Sequence, residues 1–173
     1  MKKVFSGIIV LYMSLFLSNM TMGQEVVKHD ASELELLKAS VQTKLQMQMN
    51  WFKNHFDLTP AEEADVKQLG DATLEKALEI KKSDLPYKKA MKELEKWRKK
   101  RDQQLKDIFE SDHFHYYRNR VKDAGLGYEE NLERKKQEME RQGRSKKEIE
   151  EKVYLDEEGH LRNEVINHML GLY

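Results

Sequence analysis

Between residues 31 and 56 the apolar side chains Leu34, Leu37, Val41, Leu45, Met49, Phe52 and Phe56 recur at spacings of three and four without a break. That period puts them on one face of an α-helix and does not fit the alternation of a strand. A helix with one apolar stripe must cover it, so the rest of the chain has to supply matching stripes. Two segments do. The segment opened by Thr59 carries Val66, Leu69, Thr73, Ala77 and Ile80. The segment from about Pro86 to Phe109 carries Tyr87, Met91, Leu94, Trp97, Leu105 and Ile108, with Arg101 interrupting the stripe. Ser83, Asp84 and Pro86 mark a short turn between them, and a turn that short makes the two helices antiparallel neighbours. A shorter helix restarts at Ser111 or Asp112, with Gly125 and Gly127 read as its end. The expected fold is all-α: an elongated antiparallel helical hairpin with flanking helices and a charged C-terminal helical extension.

Composition narrows the setting. Charged residues make up 36% of the chain and cysteine is absent, so long exposed helices are favoured and neither disulfides nor thiolate metal sites are available to hold them. Residues 1–23 read as a secretory signal: Lys2 and Lys3, an apolar run from Val4 to Leu17, then small Thr21 and Gly23, with cleavage expected after Gly23. The apolar run falls short of the roughly 20 residues a membrane span requires, and no other segment approaches it, so stable membrane insertion is not expected. The whole chain has 31 basic and 31 acidic residues; losing Lys2 and Lys3 leaves the mature chain at net −2, which does not favour nucleic acid as a partner.

After residue 124 the pattern changes. Residues 129–152 hold eight acids and eight bases with only Leu132, Met139 and Ile149 as aliphatic or Met positions. This reads as a solvated helix laced with pairs three and four apart, or as partly disordered chain, with Ser145 and Glu148 offering a capping box. The tail is apolar again, Leu161, Val165, Met169 and Leu172 forming a stripe that suits a short helix docking on the body or on a second subunit. The chain therefore divides into a signal peptide (1–23), a helical domain (24–124) and a charged helical extension (125–173).

Leu58-Thr59-Pro60-Ala61-Glu62 is the most informative short stretch. Thr59 can accept from the backbone N–H of Glu62 while Glu62 reaches back to the N–H of Thr59, and Pro60 is preset for the first helical position. With an export signal, an amphipathic helix before it, a charged hairpin after it, and "RDQQLKDIFESDHFHYYRNRVKDA" at residues 101–124, the chain resembles the Spy/CpxP family of periplasmic proteins. That family carries two Leu-Thr-x-x-Gln motifs, each opening a helix. Here Glu62 replaces Gln in the first, and Phe109-Glu110-Ser111-Asp112-His113 stands where the second belongs. The resemblance covers about residues 30–124. It implies an all-α hairpin that forms a cradle-shaped homodimer in the periplasm and binds unfolded or misfolded proteins without ATP; some relatives sense metal ions instead. Leu58, Thr59, Pro60 and Glu62 carry over from the motif, with a structural capping role.

The residues themselves support binding rather than catalysis. No Gly-rich phosphate loop, Gly-x-Ser-x-Gly or His-Glu-x-x-His occurs, and no catalytic residue or cofactor is assigned. His113 and His115 are two apart, which on a helix sends them to different sides; only a helix starting at His115 lets them converge, as a metal-responsive sensor requires. No metal ligand is assigned. Residues 81–107 hold eleven bases against five acids. Lys89, Lys92, Lys96, Arg98, Lys99 and Arg101, interleaved with Tyr87, Met91 and Trp97, are the candidate contacts for acidic, unfolded polypeptide. Met47 and Trp51, at the edge of the first stripe, are added as an apolar contact. A structural adaptor that docks a partner through its C-terminal segment is the remaining reading.

Overall fold

The computed structural model describes residues 31–173. The expected signal peptide lies outside them. The described residues form six helices: α1 (Ala31–His55), α2 (Pro60–Lys82), α3 (Tyr87–Ile108), α4 (Ser111–Arg141), α5 (Lys146–Tyr154) and α6 (Asn163–Met169). Among them there is no strand, only an isolated antiparallel bridge between Leu155 and Leu161. The fold is all-α.

Helices α1, α2 and α3 pack as the stripes dictate. Val66, Leu69, Thr73, Ala77 and Ile80 are all buried along α2. Ile80 shares one cluster with Leu37 and Val41 of α1 and Ala90 and Leu94 of α3, while Leu69 shares another with Phe52 and Leu105. Neighbours that meet in this order run antiparallel. Burying each of these larger apolar side chains contributes about 1.5–3 kcal/mol, and this holds the helices together where propensity alone would not. Thr73, in the middle of the stripe, donates its hydroxyl to the carbonyl of Leu69 at 2.7 Å, which satisfies a polar group inside the core.

Helix α4 runs through Gly125 and Gly127 and does not stop there, a correction to the expected helix end. Gly125 is buried, and a Cβ at that position would stand 2.9 Å from the Tyr173 hydroxyl. The glycine lets the C-terminal tail approach the helix, and an added Cβ would push that ring aside. Termination comes at Gly143, which takes φ 75°; its N–H bonds the carbonyl of Glu140, and the N–H of Arg144 bonds that of Met139. These two bonds form a Schellman cap. The expected domain boundary after residue 124 thus falls inside a continuous helix.

The C-terminal segment belongs to the core. Leu161, Val165, Ile166, Leu170 and Leu172 are buried in one cluster with Leu37, Ala77, Ile80 and Leu94. A second Schellman cap, at Gly171 with φ 66°, turns the tail after α6. The charged stretch of residues 129–152 is folded as the end of α4 and most of α5; Ile149 within it is buried, as is Val153 just after it, so even this segment lends a side chain to packing.

Candidate functional site

Helix α3 divides its charges between two faces. Lys88, Lys89, Lys92, Lys96, Lys99, Lys100 and Lys106 are exposed, and at 100° per residue they fall on one side of the helix. Lys88 pairs with Glu150 at 2.9 Å, Lys99 with Glu95 at 2.8 Å, and Lys100 lies over the Trp97 ring. Lys89, Lys92 and Lys96 have no partner among the described residues and form an uncovered row at spacings of three and four. The bond from the Tyr87 hydroxyl, with help from the Lys88 ammonium, holds the Glu150 carboxyl below its ordinary range.

The other basic residues of the segment are elsewhere. Arg101 is 1% exposed and Lys81 is 2% exposed. Arg98 is half-buried, its Cδ 3.4 Å from where a Cβ on Gly171 would stand. The reason is helical phase: Arg98 and Arg101, three apart, share the side on which the tail packs. Arg101 is therefore removed from the expected contact surface, and Arg98 reaches solvent only in part. Tyr87, Met91 and Trp97 also turn away from the lysine row. Tyr87 stacks on Tyr154 and donates its hydroxyl to Glu150, and all three side chains pack against the core cluster shared by α1, α2 and α3.

A second surface forms where α1 meets α4. Met47 is 57% exposed and Tyr116 54%. Trp51 stacks on His55 with ring centroids 4.5 Å apart, meets Tyr116 at 5.4 Å, and carries the Arg120 guanidinium 4.8 Å above its ring. Met47 and Trp51 line a cavity of about 510 Å³ together with Lys44, Arg120 and Leu172. Stacked aromatics with a cation over one face offer apolar area and a polar grip at low entropic cost. Sequence spacing found Met47 and Trp51; it gave no sign of Tyr116 and Arg120, which come from another helix.

His113 and His115 do not converge. His113 stacks on Phe56 at 4.4 Å, while His115 is exposed. Both lie within α4, which begins at Ser111, so they point to different sides. The Leu58-Thr59-Pro60-x-Glu62 stretch forms its capping box in full: Glu62 N–H donates to Thr59 Oγ1 at 3.3 Å, and Thr59 N–H donates to Glu62 at 2.7 Å. The Thr59 backbone N–H holds the Glu62 carboxyl below its ordinary range, with help from the Thr59 hydroxyl. Leu58 packs against the cluster that contains Phe52 and Phe56. Where the second motif belongs, a helix does begin, but its cap residue Glu110 makes no side-chain bond.

Set against known proteins, the chain matches no family model, no curated protein and no solved structure. Its function must be argued from these surfaces.

Proposed function

We propose that the protein is an exported, ATP-independent holdase of the periplasm that meets unfolded polypeptide through the lysine face of α3. The observation that carries the reading is the row Lys89, Lys92 and Lys96, exposed and unpaired among the described residues. Like charges held so close repel one another unless something negative is nearby, and acidic, disordered chain is such a partner. The Met47, Trp51 and Tyr116 patch supplies apolar contact. The resemblance to the Spy/CpxP family supports the same role through its order of elements and its capping motif, and extends it to a homodimer. The adaptor reading loses support, because residues 161, 165, 166, 170 and 172 are already buried against the chain's own helices.

The test is light scattering of an acidic client protein as it unfolds, with and without the purified chain lacking residues 1–23. Suppression is expected at low salt and should fade in 1 M salt, where the screening length is about 3 Å. Changing Lys89, Lys92, Lys96 and Lys99 to Glu should weaken suppression several-fold with helical circular dichroism unchanged. Full suppression by that variant would reject the assigned face, and none by the unmodified protein would reject the role.

A further inference from the structure

We infer that the cavity between α1 and α2 is a binding site for an organic carboxylate with an apolar body, recognised by Arg101. The cavity has a volume of about 480 Å³ and is lined by both helices and by Arg101 of α3, within the range of small-molecule sites. It stands apart from the lysine face and does not rest on polypeptide capture.

The buried polar node at Arg101 has more N–H donors than acceptors. Arg101 Nη2 donates to the Tyr117 hydroxyl at 3.1 Å, and Gln48 Nε2 donates to the same oxygen at 3.3 Å. Arg101 Nε and Nη1 are buried with no hydrogen-bond partner. The nearest carboxylate, Asp102, stands 3.8 Å from Nη2, beyond hydrogen-bond reach, and its Oδ1 is itself without a bond. A guanidinium taken out of water calls for an anion and for filled N–H bonds. A carboxylate is the complement that guanidinium binds best.

The apolar part of the wall gives room for an apolar body, beside the amides of Gln42, Gln46, Gln48 and Asn50. Leu45, Met49, Val66 and Leu74 line the cavity together with Gly70, where a Cβ would stand 3.7 Å from Leu45 Cδ2, in ordinary van der Waals contact with that wall. At the rim Lys53 is already paired with Glu63, and Lys67 and Asp71 cancel, so the net charge of the lining is that of Arg101. Because Arg101 is nearly sealed from solvent, the carboxylate arrives with a rotamer change in the wall, which the unbranched Met49 can supply.

The probe is octanoate, followed by titration calorimetry and thermal denaturation of the whole mature chain. Octanoate should bind and raise Tm, while octan-1-ol at equal concentration should do neither. Arg101→Met should weaken octanoate about tenfold or more, the worth of a charged hydrogen bond. Gly70→Leu should abolish binding by filling the cavity while keeping the helix, since its Cβ has room and leucine favours helix over glycine. If Arg101→Met does not fold, Gly70→Leu decides alone. A hexapeptide ending in leucine, as free acid and as amide, separates the sources: displacement of octanoate by the acid alone assigns the site to polypeptide ends, and no displacement assigns it to free acids. No octanoate binding, equal binding of octan-1-ol, or undiminished binding in the folded variants would overturn the inference.

Discussion

Lys81 Nζ lies 2.7 Å from Asp156 Oδ2, across 75 residues of sequence, and also donates to the carbonyl of Leu161 at 3.0 Å, with Glu33 3.7 Å away. This one ammonium joins the end of α2, the start of α1 and the turn that leads into α6. It is buried, so it serves the fold and not the basic surface. Removing Asp156 leaves the buried ammonium with only Glu33, 3.7 Å away and partly exposed, as a counter-charge. Asp156→Ala should therefore lower stability by roughly 3 kcal/mol, read as a reduced urea midpoint. Lys81→Met should cost less, because its stem still packs and the remaining carboxylate is partly exposed. Equal losses from the two changes would argue against this account.

The same pair sets an acid limit. Burial pushes the Asp156 carboxyl up, but the Lys81 ammonium and the His160 N–H outweigh it and hold the group below its ordinary value. A depressed carboxyl contributes stability that is full above its unfolded pKa of about 3.9 and is lost as pH falls through the lower folded value. Urea midpoints measured from pH 5 downward should fall in the unmodified protein, and Asp156→Ala should flatten that slope.

Two capping boxes make an independent test of local design. Thr59 and Ser145 each accept from the N–H three residues on, and Glu62 and Glu148 return the bond. Thr59→Ala and Ser145→Ala should each cost about 1 kcal/mol. Their effects should add, as the two caps lie on different helices with no shared partner. A strongly non-additive double variant would mean that the α5 region and the α2 start unfold as one coupled unit.

How much of this was legible beforehand follows from the range of each signal. The α1 and α2 stripes, the turn before α3 and both capping boxes are local patterns, set by residues three or four apart, and the fold realises them. Gly125 misled because a glycine in a helix pattern reads as an end unless a distant group needs the space, and here that group is Tyr173, 48 positions away. Arg101 misled for a related reason. Its charge argued for solvent, while its phase, on the same side as Leu94 and Leu105, argued for the core, and phase prevailed. Tyr116 and Arg120 join Trp51 only because α4 returns along α1, which no local pattern reports.

The role of the tail can be tested by removing it. Leu170 and Leu172 are buried against α1 and α3 residues. Leu170→Ala should cost about 2–5 kcal/mol, the usual range for a large-to-small change in a core. Deleting residues 161–173 should uncover Leu37, Val41 and Leu94 together, giving dye-binding apolar surface and loss of cooperative melting. A truncated chain that still melted sharply, near the temperature of the full chain, would show the hairpin to be self-sufficient.

His168 gives the tail a second pH dependence, with a window above that of Asp156. Its Nδ1 lies 3.0 Å from the Tyr173 hydroxyl, its ring stacks on Tyr128 at 4.1 Å, Glu129 approaches Nε2 at 3.8 Å, and Arg98 repels a charge there. Burial lowers its pKa, opposed by Glu129 and assisted by Arg98. A histidine kept neutral in the fold takes up a proton more readily when unfolded. Stability is then full above the unfolded value of about 6.5 and declines as pH drops from there toward the lower folded value. Thermal melts between pH 7.5 and 5 should show Tm falling through this window. His168→Gln, which keeps a polar group and removes the titration, should flatten the slope in that range while leaving the lower-pH loss from Asp156 in place. A slope unchanged by the substitution would assign the effect to another group.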